Sequence, residues 1–398
     1  MPPLEFSICQ SFDETTQNVE NALAPFNAHQ RANFRVQLHP LQWEDYRQEL
    51  TWYAIHSQGP DVSQVGAPVV YDMAVMNVLR PFTRRDIAEL GGQDAFTQVA
   101  WDSAQPYGEQ NIWSLPWYSD ARAILFWRDM LEKAGADPET AFQSFDQMEA
   151  TFEKLQASGV AAPWSIPTAH RLGTLQSALS WLWGAGGEVI SPDGKNPLFA
   201  EPAALNGLKR YYGLRRFLPA ENPLLSMANS LGRFTQRQAA ATMANLQLAQ
   251  SILENTPEIA PHLAIALPPG PPYVGGSSLV IWKHSRHETQ AVQLVQHLLG
   301  QQAQFDYCRA SGNLPVRRDA LAQSPYTDDP TYRGFVKAIE KGRIFPVFRL
   351  SGLVEERLAT ALAQVWSELA QNPSVDLGEL LEQFLKPTAG RLRGLLHQ

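Results

Sequence analysis

The beginning of the chain alternates short apolar segments with longer segments of helical pattern. Residues 4–9 are an apolar run, and residues 15–29 repeat apolar side chains at the spacing of an amphipathic helix. Residues 34–38 then alternate apolar and polar side chains as a strand does, and residues 43–55 return to the helical pattern. Strands and helices that alternate at these lengths are typical of a mainly parallel sheet. The sequence therefore predicts an α/β fold.

Length and composition restrict the classes of protein that remain. The chain has 398 residues, which is more than one ordinary hydrophobic core holds, so we expect two domains. Hydrophobic residues make up 44% of the chain and charged residues 18%, as in folded globular proteins. The formal net charge is −8, and no block of basic residues occurs. Nucleic acid is therefore not an expected partner, because phosphate binding needs clustered Lys and Arg.

The sequence lacks the motifs of common catalytic and metal sites. There is no HExxH, GxSxG or Walker motif, and the histidines show no metal-ligand spacing. The two cysteines, Cys9 and Cys308, do not have the CxxC spacing of zinc or thioredoxin-type sites. We expect two free, buried thiols, although a disulfide is possible if the fold brings them together. No cofactor, metal or catalytic set is predicted.

No export signal or membrane-spanning segment is recognisable. No apolar run approaches the ~18 residues that cross a bilayer. The first residues, MPPLEFSICQSFD, lack the basic start and the long apolar core of a signal peptide. Two locations stay open. The protein is cytoplasmic if Met1 is the native start, or it is the mature part of an exported protein whose signal peptide has been removed.

Four short motifs follow one another in a distinctive order. They are GPDV at 59–62, LPWYSD at 115–120 with the continuation to Gly135, GGSSLVI at 275–281, and GNLPVRRDA at 312–320. In this order they resemble the signature of the family 1 extracellular solute-binding proteins, which are the sugar-binding subunits of ABC importers. The resemblance extends along nearly the whole chain. It breaks at Phe126–Arg128, where the family has Tyr-Asn, and at Met243–Leu246, where the family has Gly-Pro-Trp.

The resemblance implies an architecture of two lobes. Each lobe would hold a mainly parallel sheet flanked by helices, and hinge crossover strands would join the lobes around a ligand cleft. Mapped onto this chain, lobe one would comprise residues 1–113 plus 271–314. Lobe two would comprise residues 114–270 plus 315–398.

The resemblance also implies a function. The protein would bind a mono- or oligosaccharide or a polyol in the cleft by hinge closure, and would deliver it to the permease subunits of an ABC importer. It would be a monomer, periplasmic or extracellular and membrane-anchored, and would perform no chemistry. One alternative is a cytoplasmic ligand-sensing module of the same fold, because no export signal is visible. The other is a glycoside-active enzyme, because eleven Trp, eleven Tyr and scattered carboxylates suit sugar chemistry.

Asp120 and Tyr118 are the first candidates for ligand contact, and the family signature includes both. A carboxylate such as Asp120 accepts two sugar hydroxyls, although a surface position or an ion pair with Arg122 is the alternative. Neighbouring side chains of a strand point to opposite faces. We therefore expect Tyr118 to contact the ligand and Trp117 to pack in the core.

A second set of candidates combines aromatic residues with glycines. Trp181 and Trp183 are two positions apart in a helical segment and cannot share a face, so at most one contacts ligand and core packing is the alternative. Gly275 and Gly276 allow close approach of the backbone to a ligand, or serve a turn that needs positive φ. Tyr273, which follows a stiff proline run, is a candidate rim aromatic.

The remaining candidates lie where loops follow predicted strands, a common place for binding groups. Trp43 would stack on the ligand or staple the helix that follows it, and Asp13 would bind ligand or serve as a charge at a helix start. Asn245 would bind ligand or cap a helix. Arg349 lies in a late loop, and full solvation is the alternative to ligand contact.

Overall fold

The computed structural model describes residues 3–10, 13–29, 35–43, 45–105, 110–221 and 224–397. The chain forms two compact units, each assembled from three segments. The first unit contains Met1–Asp120, Gly275–Asp329 and Pro346–Gly352. The second unit contains Ala121–Val274, Pro330–Phe345 and Leu353–Gln398.

Strands and helices alternate through most of the described residues. The strands are β1 (Leu4–Gln10), β2 (Val36–Gln42), β3 (Val62–Val65), β4 (Leu79–Arg80), β5 (Leu115–Ala121), β6 (Ala123–Trp127), β7 (Trp164–Ser165), β8 (Ala241–Ala244), β9 (Leu263–Ala266), β10 (Val274–Trp282) and β11 (Leu314–Pro315). The helices are α1 (Asp13–His29), α2 (Tyr46–His56), α3 (Ala67–Val75), α4 (Arg84–Ala88), α5 (Gln98–Ala104), α6 (Arg128–Lys133), α7 (Phe145–Ala157), α8 (Arg171–Gly184), α9 (Pro202–Gly213), α10 (Met227–Thr235), α11 (Leu246–Asn255), α12 (Glu288–Leu298), α13 (Gln301–Ser311), α14 (Arg318–Leu321), α15 (Pro330–Lys341), α16 (Ser351–Gln371) and α17 (Leu377–Leu396).

The strands form one sheet in the order β11-β5-β10-β3-β1-β2, with β4 beside β10, and a second sheet in the order β7-β8-β6-β9. This arrangement confirms the predicted α/β class with two sheets. The sheets are mixed rather than mainly parallel. β1 pairs in parallel with β2 and β3, whereas β10 is antiparallel to β3 and β6 is antiparallel to β8 and β9. Parallel pairing follows from a helical crossover between neighbouring strands, and β10 is instead reached from β9 of the other sheet.

Alternation along the strands divides the first sheet between two layers of helices. Leu279 and Ile281 of β10 lie in one apolar cluster with α1, α12 and α13. Val280 and Trp282 of the same strand lie in a second cluster with α2 and α3. Because successive side chains of a strand point to opposite faces, the two clusters occupy opposite faces of this sheet. The sheet is therefore covered by helices on both faces.

Both cysteines are buried in the first unit. Cys9 lies in β1 and Cys308 in α13, and neither forms a disulfide. Burial raises the pKa of the Cys9 thiol to about 12 and also raises that of Cys308. The prediction of two free, buried thiols is confirmed, and both thiols stay protonated and unreactive at neutral pH.

Trp127 lies in one of the two segments at which the chain departs from the family signature, and it is buried in the core of the second unit. Its ring stacks on Phe234 with centroids 4.8 Å apart, and its indole N–H donates to the Phe234 carbonyl over 3.0 Å. The guanidinium of Arg237 covers the ring at 4.7 Å from the centroid and is itself paired with Asp129. Trp127 of β6 therefore links the second sheet to the end of α10 and to the turn that follows this helix.

The two units contain no helix, within the described ranges, that is long and apolar enough to cross a membrane. The long helices α16 and α17 are amphipathic, and each carries charged residues. Such helices bury one face on a protein core and leave the other face in water.

Helices α8 and α9 pack so closely that one position of α9 requires glycine. A Cβ on Gly207 would lie 2.3 Å from the carbonyl oxygen of Trp181. That oxygen belongs to helix backbone and cannot move aside, so a methyl group here would push the two helices apart.

We expect Gly207→Ala to lower the free energy of unfolding by about 2 kcal/mol or more, because overpacking forces backbone shifts. Gly390→Ala in α17 is the matched control, since its Cβ would meet no atom within 4 Å. The control should gain about 0.5 kcal/mol from helix propensity. Urea unfolding followed by circular dichroism measures both variants, and equal stability of the two would contradict the close packing.

Candidate functional site

Polar and aromatic residues gather at one edge of the first sheet. The parallel strands β1, β2 and β3 end at this edge, and β10 begins there, since Ser278 lies opposite Val65 in the antiparallel pair. Gln10 is the last residue of β1, and Trp43 directly follows the last residue of β2. In α/β proteins, the carboxyl edge of the strands is where ligands bind. This edge is therefore the candidate functional region of the first unit.

A buried network joins Gln64 of β3, Tyr118 of β5 and Ser277 of β10. The Gln64 Nε2 group donates to Tyr118 Oη and to Ser277 Oγ, in both cases over 2.8 Å. Ser277 Oγ and Tyr118 Oη are 3.0 Å apart and share a further hydrogen bond. Gln64 Oε1 accepts the Cys9 backbone N–H over 2.9 Å. Gln64 and Ser277, on the paired strands β3 and β10, therefore hold the phenol of Tyr118 in place.

Tyr118 and Asp120 share one face of β5. Both are partly exposed, whereas Trp117, Ser119 and Ala121 between and beside them are buried. Trp117 stacks on Tyr307 with centroids 4.6 Å apart, so its predicted place in the core is confirmed. Two residues with the same orientation on a strand lie roughly 7 Å apart. The face thus presents a phenol and a carboxylate side by side.

Burial raises the pKa of the Tyr118 phenol well above its usual range. The negative charge of Asp120 raises it further, while the hydrogen bond from Ser277 acts in the opposite direction. The phenol is therefore protonated throughout the neutral range and remains able to donate a hydrogen bond.

Gly275 and Gly276 are the second and third residues of strand β10 and lie beside this network. Gly276 has φ +135°, and a Cβ there would lie 2.1 Å from the carbonyl oxygen of Tyr118. The interpretation that this segment needs positive φ is confirmed for Gly276. The close approach of β10 to β5 is what places Ser277 against Tyr118. Contact of either glycine with ligand stays a prediction.

A second group of candidate residues lies in the second unit. Trp183 of α8 and Tyr273 stack in parallel planes, with centroids 6.5 Å apart and an angle of 3° between them. Arg343 covers the Trp183 ring at 5.0 Å from the centroid and forms a two-pronged ion pair with Glu188, at 3.1 and 2.7 Å. The Trp183 indole N–H is buried and has no acceptor among the described residues. The structure therefore brings together two predicted aromatics and one arginine that the sequence did not indicate.

Backbone hydrogen bonds hold the Tyr273 segment from two sides. The Arg122 N–H donates to the Tyr273 carbonyl over 2.8 Å. The Arg343 N–H donates to the Pro272 carbonyl, and the Val274 N–H donates to the Arg343 carbonyl, each over 2.8 Å. The position of the Tyr273 ring is therefore set by three backbone contacts in addition to its stacking on Trp183.

The other candidates lie in surroundings that match the alternative interpretations. Trp181 is buried against Phe145 and Tyr211. Trp43 packs edge-on against Tyr46, the first residue of α2, with centroids 5.1 Å apart. Their contact with ligand stays a prediction.

Asn245 and Arg349 also match those alternatives. The Asn245 side chain caps α11 by accepting from the Leu248 N–H. Arg349 is exposed to solvent. Asp13 stands at the start of α1, and its side chain lies outside the described residues.

Sequence reasoning missed Gln64, Arg343 and Glu188 as members of these groups. Gln64 is the one polar, non-hydroxyl residue within the strand VSQV, and an amide inside a buried strand is a signal for an internal hydrogen-bond network. Arg343 and Glu188 are 155 residues apart in the chain, and nothing in the local pattern of either indicates the pair. Ser277 is a further member of the first group that the sequence did not indicate. Among the described residues, no cluster of three or more His, Cys, Asp or Glu side chains is arranged to hold a metal ion.

A comparison with protein-family models identifies the family of this chain. A family model described as "Bacterial extracellular solute-binding protein" matches residues 21–334, a span that contains all four sequence motifs. The chain belongs to the bacterial extracellular solute-binding protein family. This confirms the family predicted from the motifs, and it is a family of binding proteins. No curated protein sequence matches the chain.

Solved structures with the same fold cover the whole of this solute-binding protein. An ABC transporter solute-binding protein from Thermotoga lettingae, bound with α-D-tagatose, has a TM-score of 0.82 at 19% identity, over 100% of both chains. The sugar-binding protein MalE from Xanthomonas citri has a TM-score of 0.82 at 18% identity, over 100% of this chain and 98% of that one. The maltotriose-binding protein from Thermus thermophilus has a TM-score of 0.74 at 16% identity, over 99% of this chain and 100% of that one.

The burial of Tyr118 predicts a dependence of stability on alkaline pH. Its pKa in the folded protein is higher than the value of about 10 in an unfolded chain, so the unfolded state loses its proton first as the pH rises. The free energy of unfolding should therefore fall above about pH 10, and Tyr118→Phe should reduce the slope by up to about 1.4 kcal/mol per pH unit. Urea unfolding of both proteins between about pH 9 and 11 measures the slopes. Identical slopes would mean that the phenol ionises equally in both states.

Proposed function

We propose that this solute-binding protein binds a carbohydrate, either a mono- or oligosaccharide or a polyol, for uptake by an ABC importer. The observation that carries the proposal is the pair of Tyr118 and Asp120 on one face of β5, held by the Gln64 network. A phenol and a carboxylate side by side supply a donor and a strong acceptor, as the adjacent hydroxyls of a sugar require. The proteins of similar fold that bind tagatose and maltotriose support the same ligand class.

The aromatic pair of the second unit is a second candidate for sugar contact. A sugar ring has apolar C–H faces that pack on aromatic rings, and its hydroxyls pair with polar groups at the ring edge. Trp183 and Tyr273 are 5% and 6% exposed and stack on each other, and the Trp183 indole N–H is a buried donor that lacks a protein acceptor among the described residues. A buried donor costs free energy unless it is paired, and a sugar oxygen would pair it.

We assign the proposed ligand contacts to residues of these two groups. Asp120 would accept sugar hydroxyls, Tyr118 would contact the same region of the sugar, and Gly275 and Gly276 would allow the backbone to approach it. Trp183 and Tyr273 would be the contacts of the second group. Ligand contact by the remaining candidates is a secondary proposal. These candidates are Trp43, Asp13, Trp181, Asn245 and Arg349.

The wider biological setting is also part of the proposal. Family membership supports a periplasmic or extracellular protein that passes its ligand to membrane permease subunits. We further propose that it acts as a monomer, closes about a hinge when ligand binds, and performs no chemistry on the sugar.

The first test is a panel of D-glucose, D-galactose, D-tagatose, maltose and maltotriose in thermal unfolding and calorimetry. At least one sugar should raise Tm, because a ligand at one hundred times its Kd stabilises the folded state by about 2.7 kcal/mol. The sugar should be recovered unchanged after incubation, since hydrolysis would favour the glycoside-active enzyme. If the whole panel leaves Tm unchanged, the sugar proposal fails.

The Asp120 carboxylate should contribute directly to affinity. Asp120→Asn should weaken binding of that sugar at least tenfold, because hydrogen bonds to a charged acceptor are worth about 1.5–3 kcal/mol. Asp102→Asn is the matched control, since Asp102 is exposed on α5 and bonded only locally to Gln98. Calorimetric Kd values decide the outcome, and equal losses in both variants would remove Asp120 from the site.

Hinge closure predicts a change of size in solution. A bound sugar should lower the radius of gyration measured by small-angle X-ray scattering, as domain closure does in binding proteins. Saturating sugar with an unchanged radius would contradict closure while leaving the binding proposal intact.

A further inference from the structure

The hydrogen-bond polarity of the Gln64 network limits what Tyr118 can offer to a ligand. The orientation of the Gln64 amide follows from the Cys9 backbone N–H, which can only donate and lies 2.9 Å from Oε1. The oxygen of the amide must face Cys9, so its NH2 group must face Tyr118 and Ser277. Gln64 is 1% exposed, which leaves it no freedom to turn.

The network holds more hydrogen-bond protons than it uses. The amide supplies two protons, and the hydroxyls of Tyr118 and Ser277 supply one each. Three hydrogen bonds join the three side chains, and each bond uses one proton. One hydroxyl proton is therefore left over, whichever of the two hydroxyls donates to the other.

When a ligand is present, the hydroxyl proton that the network does not use is that of the Tyr118 phenol. Ser277 is 4% exposed, whereas Tyr118 is the partly exposed member of the network. Ser277 Oγ donates to Tyr118 Oη in the observed pairing, so the phenol oxygen accepts two hydrogen bonds and retains its own proton. Neither hydroxyl has another acceptor among the described side chains.

We propose that the Gln64–Ser277 pair makes Tyr118 an obligate hydrogen-bond donor to the bound sugar, so that the sugar must present an acceptor oxygen there. This inference rests on the proposed function and adds a specificity rule to it. Asp120, on the same face of β5, imposes the opposite rule, because a carboxylate only accepts. The site therefore selects an acceptor oxygen at Tyr118 and a donating hydroxyl at Asp120. An ammonium group of an amino sugar is disfavoured at Tyr118, where a donor would face a donor.

The rule is tested with the panel sugar that binds most tightly and with its monodeoxy and monodeoxyfluoro derivatives. Fluorine cannot donate a hydrogen bond but accepts one weakly. At the position facing Tyr118, the deoxy sugar should bind about fivefold to tenfold more weakly and the fluoro sugar should recover part of that loss. At the position facing Asp120, both derivatives should bind at least tenfold more weakly, because neither can donate.

Two variants assign these positions. In Tyr118→Phe the deoxy penalty at one sugar position should disappear while the penalties at other positions remain, as in a double-mutant cycle. Tyr53→Phe is the matched control, since Tyr53 lies on α2, packs edge-on against Trp282 and is outside the network, so its affinity should stay within about threefold of the native value. Thermal unfolding without sugar checks that both variants are folded.

Three results would overturn the inference, and they are distinguishable. If Tyr118→Phe leaves every deoxy penalty unchanged, Tyr118 does not contact the sugar. If the deoxy and fluoro losses at the Tyr118 position are equal, the phenol acts as an acceptor. If no sugar of the panel binds the native protein, the proposed function itself fails and this inference falls with it.

Discussion

The close approach of Gly276 to the carbonyl of Tyr118 is the contact on which the candidate site of the first unit depends. A side chain larger than hydrogen at Gly276 cannot fit 2.1 Å from that oxygen, and φ +135° is strained for any other residue. This approach seats β10 between β3 and β5. Ser277 and Gln64 then reach the phenol of Tyr118 from neighbouring strands. The geometry of the proposed ligand contacts thus follows from one glycine rather than from a loop.

The buried amide of Gln64 then determines which groups of the network donate hydrogen bonds. An unpaired amide in a core would cost about 1–3 kcal/mol, and Gln64 avoids this cost by pairing both of its ends. Its pairing with a backbone N–H gives the network a fixed direction that side-chain hydroxyls alone would not have. Hydroxyls rotate to suit their neighbours, whereas the peptide N–H of Cys9 cannot. In the proposed site, the preference for a donor or an acceptor would therefore be set by β1, a strand that needs no contact with the ligand.

The sequence allowed the α/β class to be predicted because alternation of strand and helix is a local pattern. It also allowed Trp117 to be assigned to the core beside a more exposed Tyr118, since the period of a strand is two. The antiparallel entry of β10 could not be predicted, because it depends on where the chain returns from the other sheet. The ion pair of Arg343 and Glu188 could not be predicted for the same reason, since two residues 155 positions apart form no local sequence pattern.

The break in the family signature at Trp127 has a physical explanation in the second unit. A ring at this position is enclosed by Phe234 on one face and by the guanidinium of Arg237 on the other. Arg237 adopts φ +57°, an uncommon conformation for a residue other than glycine, and its pairing with Asp129 and with the ring offsets that strain. The aromatic and the arginine therefore support each other, and replacement of one leaves the other without its partner. This mutual dependence accounts for a scaffold residue that differs from the family pattern while the neighbouring Tyr118 and Asp120 conform to it.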